Sequence, residues 1–413
     1  MRILLHSIHY APQVTSTGKY SGEMGGWLAM RGHEVRVVTA PPYYPAWEVG
    51  EGYSGWAYQR ERLAEADVWR CPLWVPGNPS GIKRLLHLAS FAASSLPVTA
   101  WQAVWRPDVV VLVVPYLICA PSAWLTARLC GAKTWLHLQD LELDLAVGLG
   151  MLGGGVARHA LYGMEKLLIG GAERVSTITE AMRRRLIEKG IPEERMRLFP
   201  NWADIDLVRP MPPNPGVRRL FGAEAGNVLV MYAGNMGEKQ GLDLVLETAD
   251  RLKRRTEIKF AMVGAGPVRP RLEQTAKRRK LHNVRFFPVQ SLERLPQMLA
   301  AGDVHLVVQR QDTADLVMPS KLTNILAAGR PSVATAAPST ALYEVLNGHG
   351  CGIMTAPGSA EELTRAIITL ADNAWMRERL GRKARKYAEA YLGKEEILSK
   401  FEEELRGLVG KDA

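Results

Sequence analysis

Two lysines and a set of glycines carry most of the chemistry in this chain. Lys321 follows Pro319-Ser320 and leads a stretch, Leu322-Thr323-Asn324-Ile325-Leu326-Ala327-Ala328, that Gly329-Arg330-Pro331 brings to a stop. Ser is a good N-cap and Pro is tolerated ahead of the first turn. Gly329 and Pro331 close the helix so begun. A helix start offers unpaired N–H groups and the positive end of the peptide dipole, which together suit an anion. Lys321 adds a full charge at a place where the dipole opposes it, which a lysine with no task would avoid. Ser320, Lys321 and Leu322 are therefore expected to form a phosphate seat.

A second candidate is Ala233-Gly234-Asn235-Met236-Gly237-Glu238-Lys239-Gln240-Gly241. Its glycines let the backbone approach an anion, with Lys239 as counter-charge and Asn235 beside it. It is neither a Walker loop nor a dinucleotide fingerprint, because both spacings fail. Gly264-Ala265-Gly266-Pro267 repeats the theme, and Val289, beyond the next strand, joins the expected lining. One such loop is often only a tight turn. Two of them with Lys321 point to a nucleoside diphosphate. In the first half, His137-Leu138-Gln139-Asp140-Leu141-Glu142-Leu143-Asp144 closes a strand. Asp140 is its natural catalytic carboxylate, while Glu142 and Asp144 are expected to cap the next helix. Ser16-Thr17-Gly18 before a helix is either a close approach of Gly18 to a phosphate or a plain capping turn. Asp204-Ile205-Asp206 reads as turn and cap chemistry, and no spaced His or Cys cluster suggests a metal.

Each stretch stands at the end of an apolar run. In the first half these runs are 2–8, 34–39, 109–114, 133–138 and 174–177, with an amphipathic helix over about 20–31. In the second half they are 228–233, 258–263, 284–287, 304–308, 331–336 and 352–355, and a polar loop with Asp312 and Asp315 follows 304–308. Strands alternating with helices imply parallel sheets with right-handed crossovers, whose ligands sit at the carboxyl ends of the strands. Tyr43, Tyr44, Trp47, Tyr53, Trp56 and Tyr58 fall in a loop-rich insert, where aromatics either stack on sugars or pack the insert's own core. Pro210, Pro212, Pro213 and Pro215 mark a linker. The expected division is 1–202, a linker 203–225, a second domain 226–385 and a closing helix 386–413 packed back on the first domain.

A chain of 413 residues is long enough for two cores, and 47% hydrophobic residues is ordinary for a globular protein. Its start passes straight into a strand, with no sign of a leader. Cys71, Cys119, Cys130 and Cys351 are scattered, as in a reducing compartment. A net charge of +10 asks for an acidic partner. Arg183-Arg184-Arg185 reads as a solvated face rather than a nucleic-acid stripe. Lys83-Arg84 leads an apolar segment that ends near Trp101 and Trp105, and Pro97 makes it poor for a membrane span. It is either an interfacial helix on a membrane or a buried crossover.

Tyr10-Ala11-Pro12, Gly18, Arg31-Gly32-His33-Glu34-Val35, Pro200-Asn201 with Asp204 and Asp206, the two glycine loops and the run from Pro319 to Pro331 together resemble GT-B glycosyltransferases of family 4. Within it, Ala40-Pro41-Pro42-Tyr43-Tyr44-Pro45, Gly237-Glu238-Lys239-Gln240-Gly241-Leu242 and Pro319-Ser320-Lys321-Leu322-Thr323-Asn324 look closest to the colanic-acid and exopolysaccharide type, often described as fucosyltransferases. The resemblance implies two Rossmann-like doubly wound α/β domains facing a central cleft. It also implies retaining, metal-independent transfer from a GDP- or UDP-linked sugar to a lipid-linked saccharide, in the cytoplasm or at the cytoplasmic face of the inner membrane, with no cofactor besides the donor. Departures are visible. The family's two glutamates eight positions apart fall on Leu316, with Asp315 beside it, and on Asn324. Its cleft histidine falls on Gln139, and Asn235-Met236 stands where a basic residue often precedes Lys239. An epimerase of the same architecture, or a binding protein without turnover, are the alternatives; a dehydrogenase lacks its fingerprint.

Overall fold

The computed structural model describes residues 1–13, 16–44, 46–77, 81–115, 117–141, 143–144, 155–310, 319–338 and 340–410. The expected roles of Glu142, Asp312, Asp315 and Leu316 lie outside the described residues. The chain forms two units, Met1–Pro200 with Glu395–Ala413, and Asn201–Lys394. The run 203–225, expected as a linker, thus belongs wholly to the second unit. There Ala203, Val208, Phe221 and Ala223 are buried in its core.

In the first unit β1 (Arg2–Ser7), α1 (Ser16–Met30), β2 (Glu34–Thr39), β3 (Gln59–Leu63), β4 (Ala66–Arg70), α2 (Gly81–Trp101), β5 (Val109–Val114), α3 (Ala120–Cys130), β6 (Lys133–Leu138), α4 (Gly155–Gly170), β7 (Arg174–Thr177), α5 (Glu180–Glu188) and β8 (Met196–Leu198) follow in order. The sheet order is β3-β4-β2-β1-β5-β6-β7-β8. All its pairs are parallel except the β3–β4 hairpin. That hairpin follows directly on the loop-rich insert and was not among the expected strands. Its turn places Ala64 and Glu65 at φ 46 and 67 without a glycine or asparagine, so the usual hairpin signal is missing. The first helix begins at Ser16, earlier than its apolar pattern suggests, and α2 runs through Pro97. The closing segment from Glu395 onward returns to this unit. There Phe401 stacks on Phe199 at 4.3 Å, and the buried Glu402 takes His33 Nε2 at 2.9 Å and Arg406 at 2.7 Å.

The second unit runs through α6 (Pro215–Leu220), β9 (Val228–Ala233), α7 (Asp243–Arg251), β10 (Ile258–Val263), α8 (Arg269–Arg278), β11 (Val284–Phe287), α9 (Leu295–Ala301), β12 (Val304–Val307), α10 (Lys321–Ala327), β13 (Ser332–Thr335), α11 (Ala341–Gly348), β14 (Gly352–Thr355), α12 (Ala360–Asp372) and α13 (Ala374–Tyr391). Its fully parallel sheet has the order β11-β10-β9-β12-β13-β14. That is the dinucleotide-fold order, in which the winding direction reverses between the first and fourth strands. Here the reversal falls between β9 and β12. The crevice at the carboxyl ends of these two strands is where such a sheet binds a ligand.

Candidate functional site

The reversal point of the second unit gathers most of the sequence-derived candidates. Gly234, at φ 145, leaves the end of β9, and Gly264, at φ 147, leaves the end of β10. A methyl group on Gly264 would stand 2.0 Å from the Gly234 carbonyl oxygen, and one on Gly266 would stand 2.3 Å from that of Met236. The glycines are therefore demanded by two loops lying backbone against backbone. The Met236 N–H donates to Ala265 O at 2.8 Å, and Arg269 Nη1 donates to Gly264 O at 2.7 Å and Phe287 O at 3.0 Å, which braces the pair. Arg269 was not expected here; its guanidinium does for the loops what a ligand would otherwise have to do. Val289 is exposed two residues past β11, on the same edge.

Lys321 enters from the loop after β12. Its Nζ lies 3.7 Å from the centre of the Tyr232 ring, and a methyl group on Gly234 would sit 3.1 Å from it. The amine is buried and has no hydrogen-bond partner among the described residues. Burial lowers its pKa to about 7. The Tyr232 ring favours the charged form, but loss of water around the ammonium outweighs it. Tyr232, fully buried, also donates its hydroxyl to Asn235 O at 2.5 Å, so one side chain holds both the lysine and the glycine loop. A tyrosine near the end of an aliphatic strand was the sequence signal for it. Arg310 was missed as well. Its N–H donates to Lys239 O at 3.0 Å, and its side chain packs where a Gly241 methyl would be, which brings two exposed basic residues side by side.

Two details of the helix differ from expectation. Ser320 adopts helical angles and makes no capping hydrogen bond; its carbonyl takes Thr323 Oγ1 at 2.9 Å. Leu322 is buried in the unit core, and its N–H is taken by Pro319 O at 2.9 Å, so its side chain seats α10. Asn324 lies one turn beyond Lys321, half-buried, and Gly329 closes the helix at φ 63. Positive charge at this edge comes mainly from side chains, because α10 is only 7 residues long.

The remaining candidates belong to the first unit. Gly18 packs against Gln13, whose Oε1 bonds His9 Nδ1 at 2.8 Å; its smallness serves that contact. Asp140 is half-buried at the end of β6. Its charge and that of Arg84 act with opposite sign on Tyr44, whose hydroxyl burial shifts upward. Gln139 is bonded to His137 at 2.9 Å, and His137 to Ser176 Oγ at 2.9 Å; burial holds the His137 pKa down at about 3. Tyr43 and Trp47 pack against His87 of α2 within 5.7 Å between ring centres, whereas Trp56 and Tyr58 of the insert are exposed. Asp144 is buried in ion pairs with Lys189 and, at 3.0 Å, with Arg185. Arg185 makes that pair while staying exposed, as the solvated face expected of 183–185 requires. Asp204 Oδ1 accepts the Leu207 N–H at 2.9 Å, as turn chemistry requires.

Two Rossmann-like parallel sheets, one carrying a cationic glycine-loop edge at its reversal point, define the GT-B class of glycosyltransferase. Residues 16–202 match the glycosyl transferase 4-like domain and residues 218–387 the glycosyl transferases group 1 domain. The chain is 46% identical over 413 residues to the "Putative colanic acid biosynthesis glycosyl transferase WcaI" of Escherichia coli (strain K12), covering 98% of this chain and 100% of that one. Sucrose-phosphate synthase of Thermosynechococcus elongatus superposes with a TM-score of 0.78 at 17% identity, covering 99% of both chains. HepE of Anabaena, in complex with UDP and glucose, superposes with a TM-score of 0.73 at 16% identity over 98% of this chain and 100% of that chain. The chain belongs to the family 4 GT-B glycosyltransferases.

Proposed function

We propose that this glycosyltransferase takes a GDP- or UDP-linked sugar, fucose being the first candidate, and transfers it with retention to a lipid-linked saccharide. The product is an exopolysaccharide of the colanic-acid type, the pathway named for the Escherichia coli relative. The observation that carries this reading is the buried, unpartnered Lys321 amine beside two glycine loops at the sheet reversal point. A diphosphate leaving group gains negative charge as the sugar departs, and preorganised cations stabilise that charge most where water is excluded. Lys321, with Lys239 nearby in sequence order around the crevice, supplies it without a metal. The UDP held by HepE supports a nucleoside diphosphate. Asp140 is the first unit's candidate for the carboxylate that acts on the acceptor. The enzyme works in the cytoplasm, at the inner face of the membrane that holds its acceptor, and needs no cofactor besides the donor.

A thermal-shift panel of nucleoside diphosphates tests the donor. The correct one, at a hundred times its Kd, stabilises the fold by about 2.7 kcal/mol, and transfer persists in a chelator. Failure of every nucleotide to shift the midpoint, or loss of transfer on chelation with rescue by a divalent ion, overturns the reading.

A further inference from the structure

The helix layer of the first unit is inside out along α2. Its buried stripe is His87, Phe91, Ser95 and Thr99, three of them polar, while Ile82, Leu85, Leu86 and Leu96 face outward. Among these polar groups His87 Nδ1 bonds Trp74 O at 2.7 Å and Thr99 Oγ1 bonds Ser95 O at 2.8 Å, while His87 Nε2 is buried without a partner among the described residues. In an ordinary surface helix the apolar stripe is the buried one. The inversion is not confined to α2. Next to it, α3 turns Leu125 and Leu129 outward, and α4, which packs beside α3, turns out Leu167. Leu85 is 65% exposed, Leu129 63% and Leu167 75%. More of the exposed large apolar side chains among the described residues lie on this layer and its connecting turns than on the rest of the molecule. Apolar surface of this extent on a folded domain marks a contact face.

The charges on the layer identify the occupant. Lys83, Arg128 and Lys166 are exposed there, while Arg84 turns aside over the Trp47 ring at 5.6 Å. No acidic residue occurs in α2 or α3, and the one in α4, Glu165, is buried against Lys189 at 2.7 Å. Leucines ringed by lysine and arginine, without an exposed acid, fit an anionic lipid surface, where the basic side chains extend to headgroups while the apolar ones enter the acyl boundary. A second copy fits poorly, because a two-fold contact would set this basic face against itself. Trp105, by contrast, is held under Arg36 at 4.3 Å and takes no part.

We infer that α2, α3 and α4 form one face that lies flat on an anionic bilayer, resting the first unit on the membrane. This deepens the lipid-linked-acceptor reading, on which its purpose rests, but its observations are separate. Co-sedimentation of the full chain with phosphatidylcholine vesicles, with and without phosphatidylglycerol, tests it. The chain pellets with the anionic vesicles and is released by salt. Leu125→Asp with Leu129→Asp weakens binding roughly tenfold or more, and Lys83→Glu with Arg128→Glu does the same at low salt. Both variants keep the wild-type thermal midpoint and nucleotide response, since all four side chains are exposed. Wild-type protein that stays in the supernatant overturns the inference, and so does an α3 variant that pellets like wild type. A dimer dissociated by the same α3 variant gives the face to a second copy and overturns it too. A chain that pelleted but bound no nucleoside diphosphate would sink the donor reading and leave this face standing.

Discussion

The two units present their carboxyl strand ends differently, although both are parallel sheets of similar winding. In the first, several side chains at the edge bond one another, although the Tyr10 and Thr177 hydroxyls are buried without a partner among the described residues. His9 bonds Gln13, and burial lowers its pKa to about 4; Gln139 bonds His137; Arg70, almost wholly buried, donates to the carbonyls of Ala11 and, at 3.1 Å, Ala40. In the second, backbone does the work. Glycine loops stack directly, and the buried Lys321 amine beside them meets an aromatic ring and, among the described residues, no hydrogen-bond acceptor. Polar groups that are already satisfied hold a shape, whereas a buried charge that is not satisfied has free energy to gain from a ligand. The second edge offers an unsatisfied charge that an anion would complete; the first is held largely by bonds among its own side chains.

That contrast breaks most sharply at the glycines. Gly264→Ala places a methyl group 2.0 Å from Gly234 O at a φ of 147. Backbone strain of about 1–3 kcal/mol and overpacking of about 1–3 kcal/mol together lower the melting point by several degrees and abolish nucleotide response. Gly18→Ala meets Gln13 Cβ at 2.7 Å with ordinary backbone angles, so it costs less and leaves the nucleotide response in place. Equal damage from the two substitutions, measured by thermal melts with and without nucleotide, would erase the distinction between the edges.

Next in size are the lysines. Lys321→Ala removes a charge-assisted contact of about 1.5–3 kcal/mol, or roughly tenfold to a hundredfold in donor affinity and transfer. Lys239→Ala has a smaller effect, because its side chain is exposed and screened by water. Steady-state kinetics in which Lys239→Ala is the more damaging variant would move the centre of the site from α10 to the glycine loop.

How much of this was legible beforehand follows the same division. Aliphatic strands ending in glycine or lysine are periodic and local, so β9, β10, β12, both glycine loops and Lys321 could be read from the chain. Long-range answers could not. Tyr232 beneath Lys321, Arg310 beside Lys239, and Asp144 between Arg185 and Lys189 are pairings that only the fold creates. Local misreadings had local causes. A hairpin turn built from Ala64 and Glu65 lacks the residues that announce such turns. A serine before a helix looked like a cap, but the chain enters α10 already in helical geometry. The polarity of α2 was read as an interruption, when it is the buried side of a helix whose leucines face out.

The smallest expected effect is the most diagnostic, because one group produces two opposite slopes. Lys321 titrates at about 7 in the folded chain against an ordinary 10.5. Between those values the unfolded state binds the extra proton, so stability without ligand rises with pH across that window. A diphosphate binds the charged form. Above pH 7 the lysine must therefore take up a proton on binding, and donor affinity falls, by about fivefold over the first pH unit. Lys321→Arg keeps the charge at all these pH values, so it removes both slopes even where its longer fork binds less well. Isothermal titration from pH 7 to 9, beside denaturant melts in the same buffers, reads the two slopes separately. A donor affinity that does not change with pH, or a slope that persists in Lys321→Arg, would show that the buried amine is not what receives the diphosphate.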